Sequence, residues 1–215
     1  MIKVKICGIT NIEDALAASR SGADALGFIF SKKSPRCVST DTANKIIQQL
    51  GPFITTVGVF VNESKEAVAD IAGTVGLDCL QFHGDEPAAY CNSFCKQYEV
   101  IKTLFPSDSP FRKAISAYAV DAFLFDVRYE DKQRGTALLA QAVLKEVKVL
   151  IQEGKRIIIS GGLNFANVGR VLKYNPYAVD VASGIEQLVG KKDIKTMSMF
   201  VRKVKGCENN EKITR

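Results

Sequence analysis

Ile2-Lys3-Val4-Lys5-Ile6-Cys7-Gly8-Ile9-Thr10-Asn11-Ile12-Glu13-Asp14 opens the chain and reads as a strand, a turn and the start of a helix. Period-2 alternation places Val4 and Ile6 on one face and Lys3, Lys5 and Cys7 on the other, more polar one. Gly8 supplies a backbone free to turn, Thr10 or Asn11 offers a cap, and the helix begins at Ile12. A thiol at the mouth of a strand is a catalyst or a small buried residue, and the stretch alone leaves both readings open.

The same unit recurs along the chain. Further β-rich runs span Ala25 to Phe30, Thr55 to Val61, Asp78 to Phe82, Val100 to Leu104, Ala122 to Asp126, Arg156 to Ser160 and Ala178 to Ala182. Helical patterns follow the eight runs at Ile12 to Ser21, Thr42 to Gln49, Ser64 to Thr74, Pro87 to Gln97, Phe111 to Tyr118, Ala137 to Glu153, Asn164 to Lys173 and Asp193 to Lys205. Several strands are apolar almost throughout, as strands covered on both faces are. Eight βα units in 215 residues point to an α/β fold, a single-domain TIM (β/α)8 barrel, rather than an open doubly wound sheet. The barrel is expected over residues 1–205, with 206–215 a polar tail that frays.

With 47% hydrophobic residues the chain is able to bury one sizeable core. It has no apolar run of membrane-spanning length and no signal-peptide pattern at its start, so a cytoplasmic protein is expected. The six cysteines read as free thiols, and a single histidine without a C-x-x-C pair argues against a zinc site, so no metal is expected. A net charge of +6 raises the question of nucleic acid, but no basic stripe with interleaved aromatics is present. The cluster Lys191, Lys192, Lys195, Arg202, Lys203 and Lys205 reads as a solvated face. The expected partner is therefore a small phosphorylated molecule, not a membrane or nucleic acid, for a monomer or homodimer.

In a barrel of this kind the active site lies at the C-terminal ends of the strands. Those ends carry Cys7, then Ser34-Pro35-Arg36, Gln81-Phe82-His83-Gly84-Asp85-Glu86, Asp126, Ser160-Gly161-Gly162-Leu163 and Asp180-Val181-Ala182-Ser183-Gly184. Glycine turns after the last two strands suit a phosphate, because backbone N–H groups converge there. Arg36 on a proline-stiffened loop suits a carboxylate. Asp126, ending an apolar run, is a general acid or else a cap or ion-pair partner; His83 is a hydrogen-bonding residue or a catalyst. A thiol base, a carboxylic acid, an arginine and an anion cradle together suggest isomerisation of a phosphorylated sugar derivative, with no cofactor called for.

Six segments closely resemble the motifs of the phosphoribosylanthranilate isomerase family. They are Lys5 to Thr10, Gly27 to Phe30 leading to Ser34-Pro35-Arg36, Val57 to Asn62, Gln81 to Glu86, Ser160 to Asn164 and Asp180 to Glu186. The resemblance implies an Amadori rearrangement in tryptophan biosynthesis, N-(5-phosphoribosyl)anthranilate becoming 1-(2-carboxyphenylamino)-1-deoxyribulose 5-phosphate. It places the general acid on Asp126 and the general base on Cys7. Arg36 would hold the anthranilate carboxylate, Gly161, Gly162, Ser183 and Gly184 the phosphate, and His83 and Asp180 would line the pocket. Lys5, on the strand face of Cys7, is expected to lower the thiol's pKa. The chain departs from the family pattern at Val127, at Arg134-Gly135-Thr136-Ala137 and at Ala182. Two other readings are a Schiff-base aldolase using Lys102 and a non-catalytic phosphosugar-binding barrel.

Overall fold

The structure, a computed structural model, describes residues 1–106, 115–128, 131 and 139–206. Eight strands close into one parallel barrel in sequence order: β1 (Lys3–Cys7), β2 (Ala25–Ile29), β3 (Thr55–Phe60), β4 (Cys79–Phe82), β5 (Glu99–Leu104), β6 (Ala122–Phe125), β7 (Ile157–Ile159) and β8 (Ala178–Val181). The seam is made by β1 lying parallel to β8, with Lys3 opposite Ala178 and Lys5 opposite Asp180. Inside the barrel, Val57, Cys79, Ile101, Ala122, Leu124, Ile158 and Ala178 form one apolar cluster. The intervening residues, Val4, Ile6, Leu26, Phe28, Leu80, Phe82, Phe123 and Phe125 among them, point out and pack under the helices.

The described helices are α1 (Ile12–Arg20), α2 (Thr40–Ile47), α3 (Lys65–Val75), α4 (Ala88–Asn92), α5 (Gln141–Gln152), α6 (Gly169–Leu172) and α7 (Ile194–Lys205). Asn11, rather than Thr10, caps α1 by accepting from Asp14 N, and Ser39 starts α2 two residues before the periodicity does. Two helices are shorter than their sequence pattern. After α4, Ser93 Oγ donates to Tyr90 O and turns replace the helix to Tyr98. Ahead of α6, Asn164 and Asn167 cap each other reciprocally and Asn167 Nδ2 donates to Gly162 O. The first half of Phe111 to Tyr118, the start of Ala137 to Glu153, the Arg134-Gly135-Thr136-Ala137 segment, Cys207 and nearly all of the expected tail lie outside the described residues.

A small antiparallel pair, β9 (Glu186–Leu188) and β10 (Lys191–Lys192), joins β8 to α7 and has no counterpart in the sequence reading. It also corrects the basic cluster. Lys192 is buried with its side chain 0% exposed, Lys205 pairs with Asp24, and Lys203 lies over the Phe165 ring at 4.3 Å. No helix among the described residues is long and apolar enough to cross a membrane.

Candidate active site at the C-terminal mouth of the barrel

Cys7 closes β1 on the inward face and is 6% exposed. One layer below, Lys5 donates to Asp180 Oδ1 at 2.8 Å, and Ser160 Oγ donates to Asp180 Oδ2 at 3.0 Å. Asp180, 5% exposed, thus accepts from both Lys5 and Ser160. Thiol and ammonium converge on the bare backbone of Gly27, where a Cβ would sit 2.8 Å from Cys7 Sγ and 3.1 Å from Lys5 Nζ. Burial pushes the Cys7 thiol above its usual range, and the Lys5 ammonium is the strongest opposing influence, aided by Lys192. Burial alone would favour neutral Lys5, but Asp180 and Cys7 outweigh it and hold its pKa above the ordinary lysine value. Removing the ammonium in Lys5→Met is expected to move the pH midpoint of Cys7 alkylation by iodoacetamide upward. An unchanged pH profile would exclude Lys5 as the group that moderates the thiol.

Asp126 follows β6, three strands round the barrel from β1 through β8 and β7. It is 6% exposed, and its Oδ1 accepts from Val127 N at 2.6 Å. His83, after β4, brings Nε2 to 3.7 Å from Asp126 Oδ2. Its other nitrogen, Nδ1, lies 2.9 Å from Gln81 Nε2 and 3.0 Å from Thr103 Oγ1. With the Gln81 amide assigned as donor, Nδ1 accepts and the ring carries its proton on Nε2, facing Asp126. The ring packs edge-on to Phe105, and Arg128 lies over that phenyl at 4.4 Å while reaching Asp85. Gln81 and Thr103 on their strands and Phe105 just after β5 escaped the sequence reading as site residues because none carries a chemical signal of its own and each meets His83 only in the fold.

Arg36 meets Glu186 through two parallel hydrogen bonds, Nε to Oε1 at 2.8 Å and Nη2 to Oε2 at 2.7 Å. Glu186 Oε1 also accepts from Lys192 Nζ at 2.9 Å, and the same ammonium donates to Cys7 O at 2.7 Å and Ala182 O at 3.2 Å. Gly8, at φ 72°, lets the arginine stem cross β1: a Cβ there would lie 2.6 Å from Arg36 Cδ. Gly8→Ala therefore combines left-handed strain with a displaced arginine, and is expected to cost about 1–3 kcal/mol of stability. Urea denaturation checks this, and a stability equal to wild type would mean that the turn relaxes around the methyl.

The last two loops touch. A Cβ on Gly184 would stand 1.9 Å from Leu163 O, so only glycine allows the β8 loop to lie against the β7 loop. Gly161 and Gly162 follow β7 with φ of 88° and 63°. Among the described residues neither N–H donates to a protein acceptor. Ser183 and Gly184 open a single 3-10 turn (Ser183–Ile185), whose first N–H groups have no intrahelical partner. Lys102 lies elsewhere. Its neighbours Ile101 and Thr103 point into the barrel, whereas its ammonium donates to Gly84 O at 2.7 Å and Glu86 Oε2 at 2.8 Å, outside the strands. Glu86 in turn accepts from Asn62 N and Gly84 N, so the pair pins the β3 and β4 loops together. The aldolase reading loses its amine.

The family model described as N-(5'phosphoribosyl)anthranilate (PRA) isomerase matches residues 4–203. The chain belongs to the phosphoribosylanthranilate isomerase family. It is 42% identical over 203 residues to the N-(5'-phosphoribosyl)anthranilate isomerase of Pelobacter propionicus, covering 94% of this chain and 95% of that one. The isomerase crystal structure from Thermotoga maritima superposes with a TM-score of 0.86 at 37% identity, over 96% of this chain and all of that one. Another solved isomerase, in complex with reduced 1-(o-carboxyphenylamino)-1-deoxyribulose 5-phosphate, gives 0.84 at 38% identity, with coverage of 96% and 100%. The barrel and the family therefore agree with what the six motifs implied. Members of this family are isomerases of tryptophan biosynthesis, and this chain is one of them.

Proposed function

We propose that the C-terminal mouth converts N-(5'-phosphoribosyl)anthranilate to 1-(2-carboxyphenylamino)-1-deoxyribulose 5-phosphate with Asp126 as general acid and Cys7 as general base. The observation that carries the assignment is the placement of two buried titratable groups at one end of the barrel, Cys7 above the Lys5 ammonium and Asp126 beside His83. The same end carries a cationic fork and two glycine loops. Arg36 holds the substrate's carboxylate, and the N–H groups of Gly161, Gly162, Ser183 and Gly184 hold its phosphate.

Between those anchors the sugar ring lies over the strand ends. Asp126 Oδ2 gives a proton to the furanose ring oxygen, the C1–O bond breaks, and the nitrogen lone pair forms the C1=N bond of a protonated Schiff base. The Cys7 thiolate then takes the proton from C2, the C1=N electrons return to nitrogen, and the enolamine left behind tautomerises to the C2 ketone. Base catalysis needs the thiolate, which burial disfavours and the nearby ammonium restores in part. His83, with Nε2 3.7 Å from Asp126 Oδ2, steadies the carboxylate once its proton has gone.

The test is direct. Phosphoribosylanthranilate made enzymatically in situ is fluorescent, and purified protein is expected to accelerate the loss of that fluorescence well above the uncatalysed rate. Absence of acceleration, under conditions where another family member works, would leave only a binding role.

A further inference from the structure

We propose that Glu186 is a positioning residue that sets specificity for the substrate's carboxylate, by presenting one edge of the Arg36 guanidinium and no other. This rests on the reading that Arg36 binds that carboxylate.

A guanidinium offers two forks of paired donors, a side-on fork from Nε and one terminal nitrogen and an end-on fork from the two terminal nitrogens. Glu186 occupies the side-on fork completely, through Nε and Nη2. Among the described residues no group other than Glu186 bonds to the Arg36 guanidinium, so the end-on fork of Nη1 and the second Nη2 hydrogen stays available for a second carboxylate. Arg36 is half-buried and rests on Gly8, while the Glu186 side chain is 5% exposed. The guanidinium plane is accordingly fixed from behind before any ligand arrives, which lowers the entropy lost when a planar anion docks.

Lys192 extends the arrangement to the base. Its ammonium donates to Glu186 Oε1, Cys7 O and Ala182 O, which uses all three of its N–H groups, and the side chain is fully enclosed. Burial would raise Glu186 toward its neutral form, but Arg36 and Lys192 together hold it below the usual carboxylate range, so it stays the anion that both cations need. The carbonyl of Cys7 and the fork of Arg36 are thus linked through Lys192 and Glu186. A ligand carboxylate seated on Arg36 is registered against the strand end that carries the thiol, and the ring attached to it is placed at a set distance from Sγ.

The discriminating probe is a pair of ligands that differ in one group: reduced 1-(o-carboxyphenylamino)-1-deoxyribulose 5-phosphate and its phenylamino counterpart lacking the carboxylate. Wild type is expected to bind the first about 10- to 150-fold more tightly, the range of a charge-assisted contact. In Glu186→Gln one amide hydrogen opposes a donor of Arg36 and the fork is lost, so the gap is expected to shrink about tenfold while affinity for the phenylamino ligand changes little. A merely structural role would weaken both ligands alike and keep the gap, and that result would overturn the proposal. Glu186→Asp, which keeps the charge but is one methylene shorter, is expected to give an intermediate gap, and carries the same comparison if Glu186→Gln fails to fold. Arg36→Met separates the two layers of the argument. Collapse of the gap in Arg36→Met but not in the Glu186 variants overturns only the positioning role, whereas persistence of the gap in Arg36→Met overturns the carboxylate assignment and this proposal with it.

Discussion

Asp126→Asn is expected to fold normally and to lose kcat by about 10²- to 10⁴-fold, the usual worth of a positioned proton donor. The amide keeps an oxygen that accepts from Val127 N, so the turn after β6 keeps its hydrogen bond, and only the transferable proton disappears. Cys7→Ser, with a hydroxyl too weakly acidic to serve as base, is expected to fall by a similar factor for a different reason. Isotopic substitution at C2 of the substrate tells the two apart. In Cys7→Ser proton abstraction becomes the slow step and the primary isotope effect rises above that of wild type. In Asp126→Asn ring opening becomes slow and the isotope effect falls toward unity. Reversal of this pattern would exchange the two roles, and retention of near wild-type kcat by either variant would remove that residue from the chemistry.

The second large effect is on stability. Lys102→Met leaves Glu86 buried with its charge opposed by backbone N–H groups alone, and breaking a buried pair on one side costs about 3–5 kcal/mol. For a chain of this size that corresponds to a drop in Tm of about 6–20 °C. Adding Glu86→Leu is expected to recover part of the loss, because the stranded charge is gone, but not all of it: Asn62 N and Gly84 N then lack their acceptor. Turnover per folded molecule is expected to survive Lys102→Met. Loss of turnover in a folded Lys102→Met protein would return the lysine to the active site.

Local sequence patterns carry some of this fold and site and not the rest. Each barrel strand was legible to within a residue or two at either end, because β-rich runs, several of them apolar almost throughout, stand between turn residues. Cys7, Arg36 and Asp126 stood out as chemical residues at strand ends, and the structure brings them to one mouth of the barrel. Lys192 was misread, because burial of a lysine depends on partners far away in sequence and a run of basic residues carries no trace of them. Lys102 was misread in the opposite sense: its register on β5 could not be told from its neighbours, so a structural cation passed for a reactive amine. Asp180 lay in a recognised motif, but only the seam reveals that it pairs with Lys5. The two shortened helices failed for a local reason, since serine and asparagine side chains took over backbone bonds that helical periodicity assumes.

The β1–β8 seam has a consequence for how the molecule comes into being. Lys5 and Asp180 are separated by 175 positions, and Lys192 reaches the carbonyl of Cys7 across 185. During synthesis, the Lys5 ammonium of the first strand has no Asp180 counter-ion until β8 has been made. A truncated product ending before β8 would leave an uncompensated ammonium facing an open sheet edge, so it has no route to a working pocket of reduced quality. Closure is also an entropically remote event, the kind that slows folding in topologies dominated by distant contacts. The strand that carries Lys5 and Cys7 and the turns before α7 are therefore one functional locus assembled from segments far apart in the message, and catalytic competence waits for the later of the two.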